Sequence, residues 1–600
     1  MKSVSRLPQH SGDSSDSFAE STKGCAIEER AVDHARPLRV IIIGSGISGI
    51  LASIRFRQRI KNLDLCVYEK NEEIGGTWFE NKYPGCACDI PAHAYQATFE
   101  PNKEWSQFYA SSKEIHAYWK RVALKFGCEE YIRFRTRVVE AVWDETECKW
   151  RLRVQDTTNG AVHTDQCDIL ISATGVLNNW KWPNIPGLDG FKGKLMHSAS
   201  WDESYQYNGH RVAVIGNGSS GIQILPAILP KVSHIDHYIR GRTWIAPTFA
   251  EEIRKRSLEL ENFSFTAEEI AEFKKDHDAY QEFRKRIELE LQSMHGITIK
   301  GHPFQASAPE MFLENMKRRL RGKPELISEL VPSFPPCCRR LTPGPGYLEA
   351  LADEKVDVIT SGISKVVEDG IITTDGIHHP VDMIICATGF DTTFAPRFPI
   401  IGRNNASLAD RWKEVPETYL SLAVDGFPNY FITLGPNSAL GEGNLLLLVE
   451  KQIDYFTQCV VKMQRENLRS MNARCDAVKK FRAYCEQYFE TTVFSMNCRS
   501  WYKGGSESGR VTALWPGSSL HSIQVMSHPR WEDFEYQHAN DNPNGWLGDG
   551  WVEDEKNSTI KIRYLDEDQI DYPSMALGQT GGPRSTPANS RTRQRANYAR

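Results

Sequence analysis

Two stretches of the chain carry glycines at a spacing that suits a pyrophosphate. Gly44, Gly46 and Gly49 form GxGxxG after the run LRVIII, and Gly216, Gly218 and Gly221 repeat it after HRVAVI. The first glycine of such a loop allows a tight turn, the second lets backbone approach the phosphates, and the third lets helix pack on strand. The helix that follows offers its free N–H groups and partial positive charge to the anion. The next strand supplies each loop with a partner, and the partners differ. Glu69 stands twenty residues after Gly49, where a carboxylate accepts hydrogen bonds from ribose hydroxyls. Arg240 stands nineteen residues after Gly221, with Arg242 close by. An acid there would repel a 2′-phosphate, whereas a guanidinium pairs with one as a bidentate fork. The pattern predicts two different dinucleotides: FAD or NAD at the first loop, NADPH at the second.

Two such sites in one chain imply hydride passing from NADPH to a flavin. A dithiol reductase of that layout needs a redox-active cysteine pair facing the flavin. None is in place: Cys86 and Cys88 form only a CxC, so the electrons are expected to go to oxygen. Fourteen cysteines in 600 residues fall far below the roughly 8–10% of a disulfide scaffold. No pair of CxxC units exists to make a zinc site, and no metal is expected. Reduced thiols and a cytoplasmic location are the reading.

The elements that must position these residues follow from the pattern. A charge of −5 leaves no electrostatic footprint for nucleic acid. The N-terminus lacks an apolar signal region, and no run approaches the roughly 20 apolar residues of a membrane span. Residues 1–36 read as a disordered arm, and the chain beyond Ser574 as a basic disordered tail closing an extension over 541–600. Each glycine loop sits in a strand–helix–strand unit with short β-branched strands, so the fold class is α/β with two Rossmann-like domains. The first dinucleotide-binding domain is expected over 37–185 and again over 385–540. The second spans 186–384 and carries a charge-dense helical insertion at about 250–331. The run VDMIICATGFD reads as a strand returning to the first domain.

Between the loops lies FKGKLMHSASWD, with Phe191, Gly193, His197, Trp201 and Asp202 in the register FxGxxxHxxxW followed by Asp. Upstream is GGTWFENKYPGCACD, Gly75 to Asp89, and ATG strand ends recur at Ala173-Thr174-Gly175 and Ala387-Thr388-Gly389. On these motifs the chain resembles the type I, FAD-dependent Baeyer–Villiger monooxygenases from about Leu38 to Tyr536. CRSWYKGG (Cys498–Gly505) and the following GRVTALWPGSSLH resemble the subgroup of filamentous-fungal secondary metabolism.

The resemblance implies FAD and NADPH as cofactors, with O₂ and a ketone as substrates. The ketone is of bulky polyketide- or terpenoid-derived type. Apart from the resemblance, a monomer or dimer is the expectation for the assembly. Arg340 takes the place of the catalytic arginine, where a cation that cannot lose its proton stabilises developing negative oxygen. Asp89 is its orienting partner. The resemblance assigns Thr77, Trp78, Asp89, Ile90 and Tyr95 to FAD together with the first loop and Glu69. It assigns Ala87, Asn217, Ser219, Ser220, Gln223, Arg240, Gly241 and Arg339 to NADP with the second loop. Arg339 stands where the family has Lys, and Ala87 where it often has Arg. His197 and Trp201 read as linker residues that couple the NADP domain to the flavin. A heteroatom-oxygenating flavin monooxygenase and an inactive cofactor-loaded binding module are the alternatives.

Overall fold

The computed structural model describes residues 27–247, 255–256, 262–540, 542 and 544–570. The expected arm before Ile27 and the tail from 571 lie outside the described residues. In chain order the strands that shape the site are β1 (Leu38–Ile43), β2 (Leu63–Tyr68), β3 (Ile169–Ser172), β4 (Lys194–His197), β5 (Arg211–Ile215), β6 (His234–Tyr238), β7 (Val356–Ile359), β8 (Met383–Cys386) and β9 (Tyr430–Ile432). Helices α1 (Ile47–Arg59) and α2 (Ser219–Ile228) follow the glycine loops.

The strands form two five-stranded parallel sheets. One has the order β9-β3-β1-β2, with Ile132–Arg133 on the far edge. The other runs β7-β6-β5-β8-β4. Parallel strands are covered on both faces, which is why β1 and β5 are almost wholly apolar and buried. Both glycine-loop strands are central, so each loop leaves its sheet at the point where strand order reverses. That crevice is where open α/β sheets take ligands.

The recurrent ATG ends have a packing reason. Gly44 has φ +103, and a Cβ there would lie 2.7 Å from the Ala173 carbonyl oxygen. Gly216 repeats this against Ala387 at 2.5 Å, with φ +109. The third glycines close the turn: a Cβ on Gly49 or Gly221 would come within 2.0 Å of the Gly44 or Gly216 carbonyl.

The structure moves three expectations. The run at Met383–Cys386 does not return to the first sheet; β8 lies between β5 and β4 of the second, and β9 makes the return. Periodicity marks a buried strand but does not name its neighbours. The expected arm reaches to Arg36, yet Ile27–Arg36 is ordered against the C-terminal extension. Val32 N–H donates to the Trp551 carbonyl at 2.9 Å, and Ala31 is buried. Eleven described cysteines are free as expected, but Cys338 and Cys498 form a disulfide across 160 residues. Such pairing needs close Cα atoms, here 6.3 Å apart, and sequence spacing does not reveal that.

The insertion forms helices Ala267–Lys275, His277–Ser293, Pro303–Arg319 and Leu326–Leu330. Thr266 and Glu269 close the first with a capping box. Its apolar face packs on the first domain: Phe265, Phe273, Tyr280 and Phe283 surround the His93 ring at 4.9–5.6 Å. Burial pushes His93 down to about 3, so it packs as a neutral ring. Among the described residues no helix is long and apolar enough to cross a membrane.

Gly49→Ala is expected to force α1 off β1, lowering stability by about 1–3 kcal/mol. The purified protein should lose its yellow colour, read by flavin absorbance and thermal melting.

Candidate active site

The first cradle begins where β1 ends. Gly46 caps α1 with no side-chain partner for the helix N–H groups. Gly76 packs so closely on it that a Cβ would lie 2.9 Å from the Gly46 Cα. Glu69, at the end of β2, is buried. Its Oε2 accepts from the Ser45 N–H at 2.8 Å and from Ser45 Oγ at 3.0 Å, and its Oε1 from the Asn71 N–H at 2.8 Å. The acid thus props the glycine turn. Thr77 opens the short helix Thr77–Glu80. Trp78 Nε1 donates to the Tyr95 hydroxyl at 3.2 Å, and the two rings meet edge-on at 5.4 Å. Ile90 is half-buried next to Asp89.

The second cradle is more open. Gly218 caps α2 without a side-chain partner, and a Cβ there would meet nothing within 4 Å. Asn217 Nδ2 donates to the Gly241 carbonyl at 2.8 Å, and Ser219 Oγ lies 3.2 Å from Thr342 Oγ1. Gln223 reaches across to the first domain, donating to the Ala87 carbonyl at 3.0 Å and accepting from the Tyr83 hydroxyl at 2.9 Å. Ser220 lies beside Tyr83 as well. Ala87 therefore contributes backbone, and nothing in the structure explains the absence of an arginine there.

Cations gather at the end of β6. Arg339 Nη1 donates to the Arg242 carbonyl at 2.9 Å. Burial and Arg240 push the Arg339 guanidinium down, and burial and Arg499 do the same to Arg240. No described carboxylate counters either shift. A cluster of like charges without an internal counter-ion fits an anionic ligand. The sequence pattern points to Arg240 and Arg339 but not to Arg499, whose only signal is its place in CRSWYKGG.

Between the cradles stands Arg340. Its Nε donates to Asp89 Oδ2 at 3.0 Å and its Nη2 to Oδ1 at 2.9 Å, a bidentate pair across 251 residues. Nη1 points to the Leu440 carbonyl at 3.5 Å. Asp89 is the main cause that pushes the guanidinium far above its ordinary range; the Tyr502 phenol adds to it, against the pull of burial. The cation is permanent.

The fingerprint residues flank or end Lys194–His197, the edge strand β4 of the second sheet. Phe191 is buried, and a Cβ on Gly193 would lie 2.3 Å from the Asp382 carbonyl. His197 ends β4, stacks on Trp180 at 4.5 Å, and lies 3.3 Å from Thr388 Oγ1 beyond β8. Burial pushes its pKa down to about 4. Asp202 accepts from Lys194 at 2.5 Å, which with Ser204 holds its carboxyl down to about 2. Trp201 and Asp89 both line a cavity of about 670 Å³.

Uncapped helix ends over open glycines, an acid at one cradle and guanidinia at the other fit FAD and NADPH respectively. That arrangement defines a flavin-dependent oxidoreductase. The flavin-binding monooxygenase-like family matches residues 37–252. The FAD-binding monooxygenase tazF of Aspergillus terreus is 39% identical over 519 residues, covering 86% of this chain and 92% of tazF. A Baeyer–Villiger monooxygenase of Streptomyces coelicolor is 33% identical over 489 residues, 80% of this chain and 89% of its own. The structure of cyclohexanone monooxygenase from Rhodococcus bound to NADP⁺ matches with a TM-score of 0.72 and 26% identity, over 84% of this chain and all of that one. The chain belongs to the flavin-dependent monooxygenases of Baeyer–Villiger type and is a FAD- and NADPH-dependent enzyme.

His197 is neutral when folded but titrates near 6.5 when unfolded, so between about pH 4 and 6.5 the unfolded state binds the extra proton. Stability is full above pH 6.5 and falls as pH drops toward 4, by about 1.4 kcal/mol per pH unit for each such histidine. Denaturant midpoints at pH 7.5 and 5.0 should show a smaller drop for His197→Gln than for the parent.

Proposed function

We propose that this enzyme inserts one oxygen atom beside the carbonyl of a bulky cyclic ketone, giving an ester or lactone, in secondary metabolite biosynthesis. The observation that carries this reading is the Arg340–Asp89 pair between the two dinucleotide cradles. Bound FAD, reduced by NADPH, supplies the electrons and the activation of oxygen. The chain's own residues supply placement and charge.

Attack on a ketone carbonyl drives negative charge onto its oxygen, and a fixed cation lowers that barrier most when it needs no reorganisation. Arg340 meets the requirement: two bonds to Asp89 set its plane and leave part of Nη1 and Nη2 unused toward a ligand. A heteroatom oxygenation has no such adduct to stabilise, so the cation would be idle there. Arg240 and Arg339 bind the 2′-phosphate that separates NADPH from NADH. His197 and Trp201 transmit the position of the NADP domain, a role supported by contacts from β4 to Trp180 and Thr388. Eleven free cysteines among the described residues suit a cytoplasmic location.

Arg340→Ala should lower ketone oxygenation by about 100-fold or more while NADPH oxidation continues, its electrons appearing as hydrogen peroxide. Gas chromatography of the product beside a peroxide assay reads both. Ketone turnover unchanged in the variant would exclude the proposed role, and sulfide or amine oxidation as the only productive reaction would replace it.

A further inference from the structure

Each half of the cystine is followed directly by an arginine: Cys338 by Arg339, and Cys498 by Arg499. With the two Cα atoms 6.3 Å apart, the bond joins the segment that bears Arg339 and Arg340 to the one that bears Arg499. We infer that Arg499 is a specificity residue for the 2′-phosphate of NADPH, and that the Cys338–Cys498 cystine is the positioning device that holds it beside Arg339. The inference rests on the reading of Arg240 and Arg339 as the phosphate-binding cations.

Arg240 stands close enough to Arg339 and to Arg499 for like-charge repulsion to act within each pair. Repulsion of that kind opens a site whenever its ligand is absent. A covalent link between the two segments resists the opening without adding a counter-charge that would compete with phosphate. The backbone agrees: Cys337, next to the bond, is a non-glycine residue at φ +71, a conformation that persists only where the surroundings hold it.

The bond also carries a mark of reversibility. Lys503 is buried, and its ammonium donates to the carbonyls of Met496 at 2.6 Å and Glu507 at 2.5 Å. It also lies 3.8 Å from the Cys498 sulfur. A cation there does nothing for a closed cystine but stabilises a departing thiolate. In reduction by an external dithiol, one of its thiolates attacks the Cys338 sulfur and Cys498 leaves as the thiolate beside Lys503. The second thiol of the dithiol then displaces Cys338. Two electrons and two protons pass to the enzyme, and the dithiol becomes a disulfide. Both sulfurs are buried, so attack follows local opening of the segment.

The test is equilibrium binding of NADP⁺ and NAD⁺ to the FAD-loaded enzyme, followed by calorimetry with no ketone present. Four proteins are compared: the untreated enzyme, the enzyme reduced with dithiothreitol, Cys338→Ser/Cys498→Ser, and Arg499→Ala. Alkylation and peptide mass spectrometry should find two more thiols after reduction, at Cys338 and Cys498. The Kd for NADP⁺ should rise about tenfold in the last three while that for NAD⁺ stays unchanged. Arg499→Lys should recover part of the loss, and dithiothreitol should not affect the double serine variant. Should that variant fail to fold, the reduced parent gives the same comparison. An unreduced enzyme with all its thiols free overturns the inference, as does NADP⁺ affinity that ignores reduction or Arg499→Ala. Parallel weakening of NADP⁺ and NAD⁺ would make the cystine a plain staple and overturn it too. A protein that binds NADP⁺ as expected but oxygenates no ketone leaves this inference standing and removes only the reaction. Absence of NADP⁺ binding by the untreated enzyme removes the cofactor reading itself.

Discussion

A guanidinium that cannot be neutralised has to find its counter-charge wherever the fold places it, and Arg340 finds it on another domain. Asp89 belongs to the glycine-loop domain that starts at β1, whereas Arg340 emerges after the helical insertion of the second domain. Two parallel hydrogen bonds fix the plane of the pair, so the relative placement of the two cradles is set within hydrogen-bond tolerance. Around it, Gln223 adds a neutral contact to the Ala87 carbonyl. The apolar face of the insertion packs on the same domain through His93 and its ring of aromatics.

The two cradles share a backbone solution and differ in electrostatics. In each, a positive-φ glycine presses on the carbonyl of an alanine from a neighbouring strand, which leaves the following helix end open to an anion. At the first, the Glu69 carboxyl accepts from the Ser45 and Asn71 N–H groups. The second concentrates guanidinia without internal compensation. Such a cluster costs stability when empty and gives it back when a phosphate neutralises it. The tertiary structure has to hold those charges in place meanwhile.

Much of this was legible in the residues. GxGxxG after a β-branched run reports a backbone requirement that only glycine meets, and Glu69 and Arg240 at the end of the next strand report the sign of charge each ligand needs. The pairing of Asp89 with Arg340 was legible only through resemblance, since 251 residues separate them. The sheet membership of Met383–Cys386 is not written in the residues, and it differs from the expected return to the first domain. A buried parallel strand looks the same in sequence whichever sheet receives it, and its neighbours are chosen by crossover geometry.

Local chemistry therefore came from the sequence itself: which cofactors, which charges, and which turns must be glycine. These depend on backbone sterics and on residues within one strand–helix–strand unit. Only the tertiary structure decided that Arg499 comes within reach of Arg240, that Cys338 meets Cys498, and that Ile27–Arg36 packs on the C-terminal extension. Each of those joins segments 160 residues or more apart in the chain. No periodicity or spacing records such a meeting, because it is set by the packing of whole domains and not by the conformational preferences of the residues that touch.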